Sequence, residues 1–216
     1  MKKTFILIVL ILLTGTSAVT YAQKDRALKN GFSINLVAGL PACTYGLESA
    51  TDIPDDLKLG PILGLQIGSR WYFSPGERFG AGLMVNWFDF TGAFKSSSSL
   101  GYELNRLVAD ITVLEVGPVF TFKFIDNLAL DGYYNLRPTG LAALYTSSLG
   151  DESDEEGYAG IGVSHAIGAA FRWNVLSVGA EYVLGGIKCS NIDSEEFDPA
   201  EKLMVNSVRF MLGVKF

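Results

Sequence analysis

Few residues in this chain could do chemistry. His165 is its single histidine, with Ser164 beside it. A base next to a hydroxyl suggests nucleophilic catalysis, but neighbours in an extended segment point to opposite faces, so the two cannot form a dyad directly. The stretch GVSHA, 162–166, is spaced somewhat like a nucleophile elbow, yet apolar alternation runs straight through it where a strand-to-helix turn is required. Carboxylates cluster in three places: Glu48, Asp52, Asp55 and Asp56; Asp151, Glu152, Asp154, Glu155 and Glu156; and Asp193, Glu195, Glu196, Asp198 and Glu201. Such runs read first as solvated, repulsive surface. Their sharper readings are a docking surface for a basic partner or a divalent-cation site, with Asp151, Asp154 and Glu155 as weak candidate ligands. The segment DESDEEG lacks the spacing of an EF-hand calcium loop. No metal site and no cofactor is expected. Cys43 and Cys189 could pair in an oxidising compartment or stay as two free thiols.

These residues must be positioned by strands. After Gln23, apolar residues recur with period two in eight segments. The last is SVRFMLGVKF, in which Val208, Phe210, Leu212, Val214 and Phe216 oppose Ser207, Arg209, Met211, Gly213 and Lys215. In GPILGLQIGSRWYF, Leu63, Leu65, Ile67, Trp71 and Phe73 oppose glycines, Gln66 and Arg70. A segment around 111–124 changes phase, which predicts a β-bulge near Val113. Short turns (SPGER, FIDN, WNV) alternate with longer polar stretches at 41–59, 91–106, 148–158 and 188–202. Short turns at one end and long loops at the other make the pattern of a transmembrane antiparallel up-and-down β-barrel, here of eight strands.

Compartment follows from the first residues. Lys2 and Lys3 precede FILIVLILL, and Thr20 and Ala22 stand at −3 and −1 before Gln23. This reads as a secretory signal peptide over 1–22, cleaved to leave one barrel domain over 23–216. The net charge of −6 argues against a nucleic-acid partner.

Alternation alone cannot tell whether the apolar face points inward, as in a soluble barrel, or outward into lipid. Glycine-rich polar faces suit the crowded interior of a narrow barrel. Aromatics on the apolar face (Phe32, Trp71, Phe73, Phe79, Phe122, Phe124, Phe171, Trp173, Phe216) gather at the short-turn end like an interfacial girdle, with Trp87 and Tyr182 expected at the other interface. The apolar face is therefore expected to meet lipid. Inward charges then need partners, and Glu115 with Arg137, and Glu181 with Arg209, are the expected lumen pairs.

The ending, with Phe210, Leu212, Val214 and Phe216 in alternation, resembles the C-terminal strand signal of bacterial outer-membrane barrels. The segment LEVGPVFTFKFIDNLALDGYY, 114–134, is similar to the strand–turn–strand core of the porin-like small outer-membrane β-barrel family. This resemblance covers the mature chain. It implies residence in the bacterial outer membrane, with its lipid and the barrel-assembly machinery as partners. A filled eight-stranded lumen implies a non-catalytic structural or binding role through the acidic loops. Two alternatives stay open. One is a lipid-modifying enzyme, such as a lipid A deacylase, using His165 with a serine from another strand, although residue 167 is Ile where the deacylase His-x-Ser pattern needs serine. The other is a narrow pore.

Overall fold

Along the ring strands an outward, largely apolar set alternates with an inward set that is mostly small or polar, and the sheet these strands make is closed on itself. In the computed structural model, residues 27–42, 45–46, 59–99, 102–149, 152–192 and 201–216 are described. The proposed signal peptide and much of the acidic sequence lie outside them. The strands are β1 (Gly31–Pro41), β2 (Ile62–Pro75), β3 (Phe79–Ser99), β4 (Tyr102–Ile125), β5 (Leu128–Leu149), β6 (Glu152–Trp173), β7 (Leu176–Asn191), β8 (Glu201–Met204) and β9 (Ser207–Lys215). Each pairs antiparallel with its neighbours, and β9 pairs with both β7 and β1, which closes the ring. β8 continues the line of β9 along β7: Gly186 faces Met204 and Val183 faces Ser207 in one unbroken register. Between them Val205 donates to Gly185 O, while the Asn206 side chain accepts from Gly185 N. The two pieces form one eighth strand, so the architecture is an eight-stranded antiparallel up-and-down barrel with no helix among the described residues.

Inside and outside are inverted relative to a protein whose solvent is water. Arg70, Asp89, Asp110, Glu115, Asp131, Arg137, Arg172, Glu181 and Arg209 are all buried. Ile34, Leu36, Leu63, Phe90, Phe120, Leu136, Ile167, Val178 and Phe210 are exposed. A soluble monomer rarely exposes an apolar patch beyond a few hundred Å². Here the apolar surface runs round the whole ring, which is stable only where hydrocarbon replaces water. Near the short turns, Phe79, Phe122, Phe124 and Phe171 form a chain of ring contacts at 4.9, 4.7 and 6.4 Å. Trp87 does not join an opposite girdle: it packs edge-to-face on Trp71 at 5.8 Å. Phe210, Leu212 and Val214 share the outer face of β9 with Phe216 just past its end, and the first two and the last are exposed.

Two stretches that composition suggests are loops are paired strand. β3 and β4 run in register through residues 91–99 and 102–106, and β5 and β6 through 148–149 and 152–158. At 153–156 both faces of the strand are exposed, so polar side chains there reflect solvent rather than loss of backbone pairing, while Thr91 and Arg106 turn into the barrel. Asp154, Glu155 and Glu156 are thus exposed strand residues opposite Ser147, Thr146 and Tyr145.

The phase change expected near Val113 falls at Leu114, which has φ 61°. From Thr112 to Val116 the register against β5 shifts by one residue. β3 carries a matching irregularity against β2, between the pairs Ile67–Phe88 and Gly68–Asn86, which leaves Trp87 as the extra residue. The two extra residues lie at the same level, so β3 and β4 never lose register with each other: Asn86 faces Glu115 and Phe88 faces Val113. Past the bulges both strands reverse phase, which turns Asp89 and Asp110 inward.

A charge at the centre of the outer belt tests this orientation. Leu36→Arg, mid-way along β1, should cost about 2–4 kcal/mol in bilayer unfolding measurements. A change within about 0.5 kcal/mol, as at a water-facing position, would mean the face does not meet lipid.

Candidate functional site: the filled lumen

Every strand but β8 sends polar or charged side chains into the lumen, and they assemble in layers. At mid-height, the Arg137 guanidinium lies 3.0 Å from Glu115, 2.9 Å from Asp89 and 3.4 Å from Asp110. Arg209 lies 2.9 Å from Asp110 and 3.2 Å from Asp89, but 3.9 Å from Glu181. Glu115 and Arg137 are therefore in direct contact. Arg209 is held chiefly by two aspartates that a period-two reading does not bring inward, and its contact with Glu181 is its longest. Neutral groups add hydrogen bonds to the layer. Asn86 and Asn135 donate to Glu115 at 2.8 and 2.6 Å, Thr91 donates to Asp110 at 2.5 Å, and Tyr133 donates to Glu181 at 3.1 Å. Two guanidiniums bridging four carboxylates tie together β3, β4, β5, β7 and β9.

Above this layer the lumen is apolar. Ile62, Val108, Leu141, Val183, Ile187, Leu203 and Val205 cluster inside the barrel around Tyr45. The chain after β1 turns inward: Ala42 donates to Asn206 O, Tyr45 to Ala42 O, and Gly46 to Met204 O. This carries Tyr45 into the lumen, where it is 1% exposed and its hydroxyl donates to Asp110 at 2.6 Å. Tyr145 reaches the Gly46 carbonyl, and Arg106 the Tyr45 carbonyl. The first connector thus supplies a stopper for the extracellular end. Nothing in the sequence near Tyr45 signals this, because a lone tyrosine in a polar stretch reads as loop.

The opposite end is closed as well. Ala27 and Leu28 are buried beneath the ring, Arg172 donates to Ala27 O at 2.8 Å, and Lys215 donates to Lys29 O at 2.6 Å. A lower ionic layer joins Arg172 to Asp131 at 2.6 Å, with Thr121 and Tyr72 hydrogen-bonded alongside.

The remaining candidates lie elsewhere. His165 is on the outer face, its Nδ1 2.7 Å from the Tyr134 hydroxyl and its ring stacked on Tyr134 at 5.9 Å. Ser164 points inward to Thr139 at 2.7 Å. Along the ring His165 stands between Leu136 and Leu184. Asp151 is outside the described residues, and no group of three or more carboxylate, cysteine or histidine ligands able to hold a metal occurs among those described. Cys43 is also outside them. Cys189 is a buried free thiol in the apolar cluster above the membrane belt, where β7 turns Lys188 and Ser190 outward. Burial, helped by Glu201, pushes this thiol up to about 11.

No family model matches the chain, and neither does any curated protein. Among solved structures, the chain is similar to the crystal structure of Ail, the attachment invasion locus protein of Yersinia pestis. Identity there is 14%, over 87% of this chain and 97% of that one, at a TM-score of 0.43. The backbone structure of Yersinia pestis Ail in a phospholipid bilayer nanodisc matches at 15% identity, over 87% of this chain and all of that one, at a TM-score of 0.33. The outer membrane channel DcaP of Acinetobacter baumannii matches at 10% identity, over 84% of this chain and 71% of that one, at a TM-score of 0.15. Overlaps this low carry no argument, and the fold rests on the ring of strand pairings.

Two outcomes follow from the lumen. Arg137→Ala leaves buried Glu115 without an ion pair and takes one of two guanidiniums from Asp89 and Asp110, and should cost about 3–5 kcal/mol in denaturant unfolding of the refolded barrel; a loss below about 1 kcal/mol would show that water fills the layer. Cys189, with so little thiolate at neutral pH, should resist alkylation at pH 7.5 in the folded barrel and react on unfolding, as mass spectrometry would report.

Proposed function

We propose that the protein is a non-catalytic integral barrel of the bacterial outer membrane, with a lumen too full to conduct and a structural or binding role exercised by its extracellular end. The observation that carries this reading is the inversion of the ring, with ionic residues inside and a continuous apolar belt outside. Eight strands leave an interior about filled by side chains, whereas water channels belong to barrels of roughly sixteen. Tyr45 above and Ala27–Leu28 below add to that filling.

The environment of His165 supports the non-catalytic reading. Its hydrogen-bond partner is a tyrosine, and its cross-strand neighbours are leucines. Hydrogen bonding to Tyr134 is a low-cost way to place this polar side chain in hydrocarbon. The exposed carboxylates Glu103, Asp154, Glu155 and Glu156 make the protruding strands acidic, and a partner bound there would carry complementary charge. Residence in the outer membrane places lipid around the belt and the barrel-assembly machinery on the path of the last strand.

Detergent-gel migration of the membrane-fractionated protein, boiled against unboiled, tests the reading together with planar-bilayer conductance. A faster unboiled band in the outer-membrane fraction and no porin-level current are expected. A soluble periplasmic protein without a heat shift, or steady ohmic conductance, would overturn it. His165→Ala is expected to leave the membrane's lipid A unaltered.

A further inference from the structure

The lower ionic layer of the lumen does not balance. Arg70 from β2, Arg172 from β6 and Lys215 from β9 are buried there, and among the described residues Asp131 is the carboxylate within ion-pair distance of any of them. Asp131 is already engaged by Arg172 at 2.6 and 2.8 Å and by the Thr121 hydroxyl at 2.6 Å. Lys215 is met by the Lys29 carbonyl, and Arg172 also by the Ala27 carbonyl. Arg70 has no such compensation. Its Nε stands 3.5 Å from Asp131 without forming a hydrogen bond, and Nε and Nη1 are buried with no acceptor. The residue is 4% exposed.

The mid-height layer carries the opposite excess, four carboxylates against two guanidiniums, but among the described residues it makes no ion pair with these three cations. The ion pairs of its carboxylates go to Arg137 and Arg209, and the Tyr133 hydroxyl donates upward to Glu181. The other elements facing the layer offer neutral groups: Ser33 and Asn35 from β1, Thr121 from β4 and Ser177 from β7. A water molecule could accept from Nη1, but it would leave the charge unbalanced. A guanidinium cannot shed its proton to escape that cost, as a buried lysine can. Buried charges are tolerated when paired, and an unpartnered buried donor calls for an unseen water or ion.

We propose that a small inorganic anion, chloride being the abundant one, occupies the periplasmic end of the lumen against Arg70 Nε and Nη1. Arg172 and Lys215 supply the rest of the positive field. The anion is a structural ligand that partners Arg70 and offsets part of the positive excess, held beneath the mid-height network and above the Ala27–Leu28 closure.

Bromide reports the site directly, being close to chloride in size and visible by anomalous scattering. The full barrel, refolded in detergent, is crystallised in sodium bromide, and an anomalous peak within hydrogen-bond distance of Arg70 Nη1 is expected. In parallel, the unfolding midpoint is followed as gluconate, too large to enter, is exchanged for chloride at constant ionic strength. The midpoint should rise by about 3 °C once chloride reaches roughly five times its dissociation constant, and Arg70→Met should abolish that rise. No bromide peak at Arg70, or an equal chloride response in Arg70→Met, overturns the proposal. Should Arg70→Met fail to fold, the bromide position in the unaltered protein decides alone.

Discussion

Closing eight strands into one ring leaves an interior with room for side chains and little else, and the rest of the structure follows from that. Whatever faces inward must be small, or must find its partner across a narrow space. The inward positions are filled by glycines, serines and threonines and by a few long side chains, of which Arg137 and Arg209 are among the largest fully buried. In lipid the ring has no water to satisfy its backbone, so closure by β9 on β1 completes the hydrogen bonding and also confines the charges. Because the outer solvent contributes little hydrophobic drive between the belt and its surroundings, packing and ionic complementarity inside carry much of the specification of the fold.

Much of this was legible in the sequence, for a physical reason. Period two, glycine-rich inward positions and aromatic clustering are local properties of each strand, so the eight strands, their order and the outward belt can be read without coordinates. Glu115 and Arg137, two neighbours in the ring order, could be matched for the same reason. The parts that were not legible depend on register. Asp89 and Asp110 face inward only because Trp87 and Leu114 shift the phase, and a strand counted without that shift sends them into lipid. Tyr45 enters the lumen through a turn whose residues carry no periodic signal. Composition misled at 91–106 and 148–158, where serine and acid mark strands standing in water rather than loops.

The lumen is graded along its axis. From the Tyr45 end it runs through an apolar cluster, a layer with more carboxylates than guanidiniums, and a layer with more cations than carboxylates. The apolar cluster excludes water from the layer beneath it and so strengthens the ion pairs there. Rigid walls of this kind free the extracellular strands from any part in holding the ring together, and surface function can vary without touching the core.

The paired extra residues at Trp87 and Leu114 also bear on how such a chain can change by descent. Loss of one codon alone would reverse the facing of every side chain on one strand beyond that point and set it against an unaltered partner. Loss of both would preserve the β3–β4 hairpin but turn its two aspartates outward together. The two extra residues are thus coupled through the β3–β4 pairing, and a deletion at one is matched only by a deletion at the other.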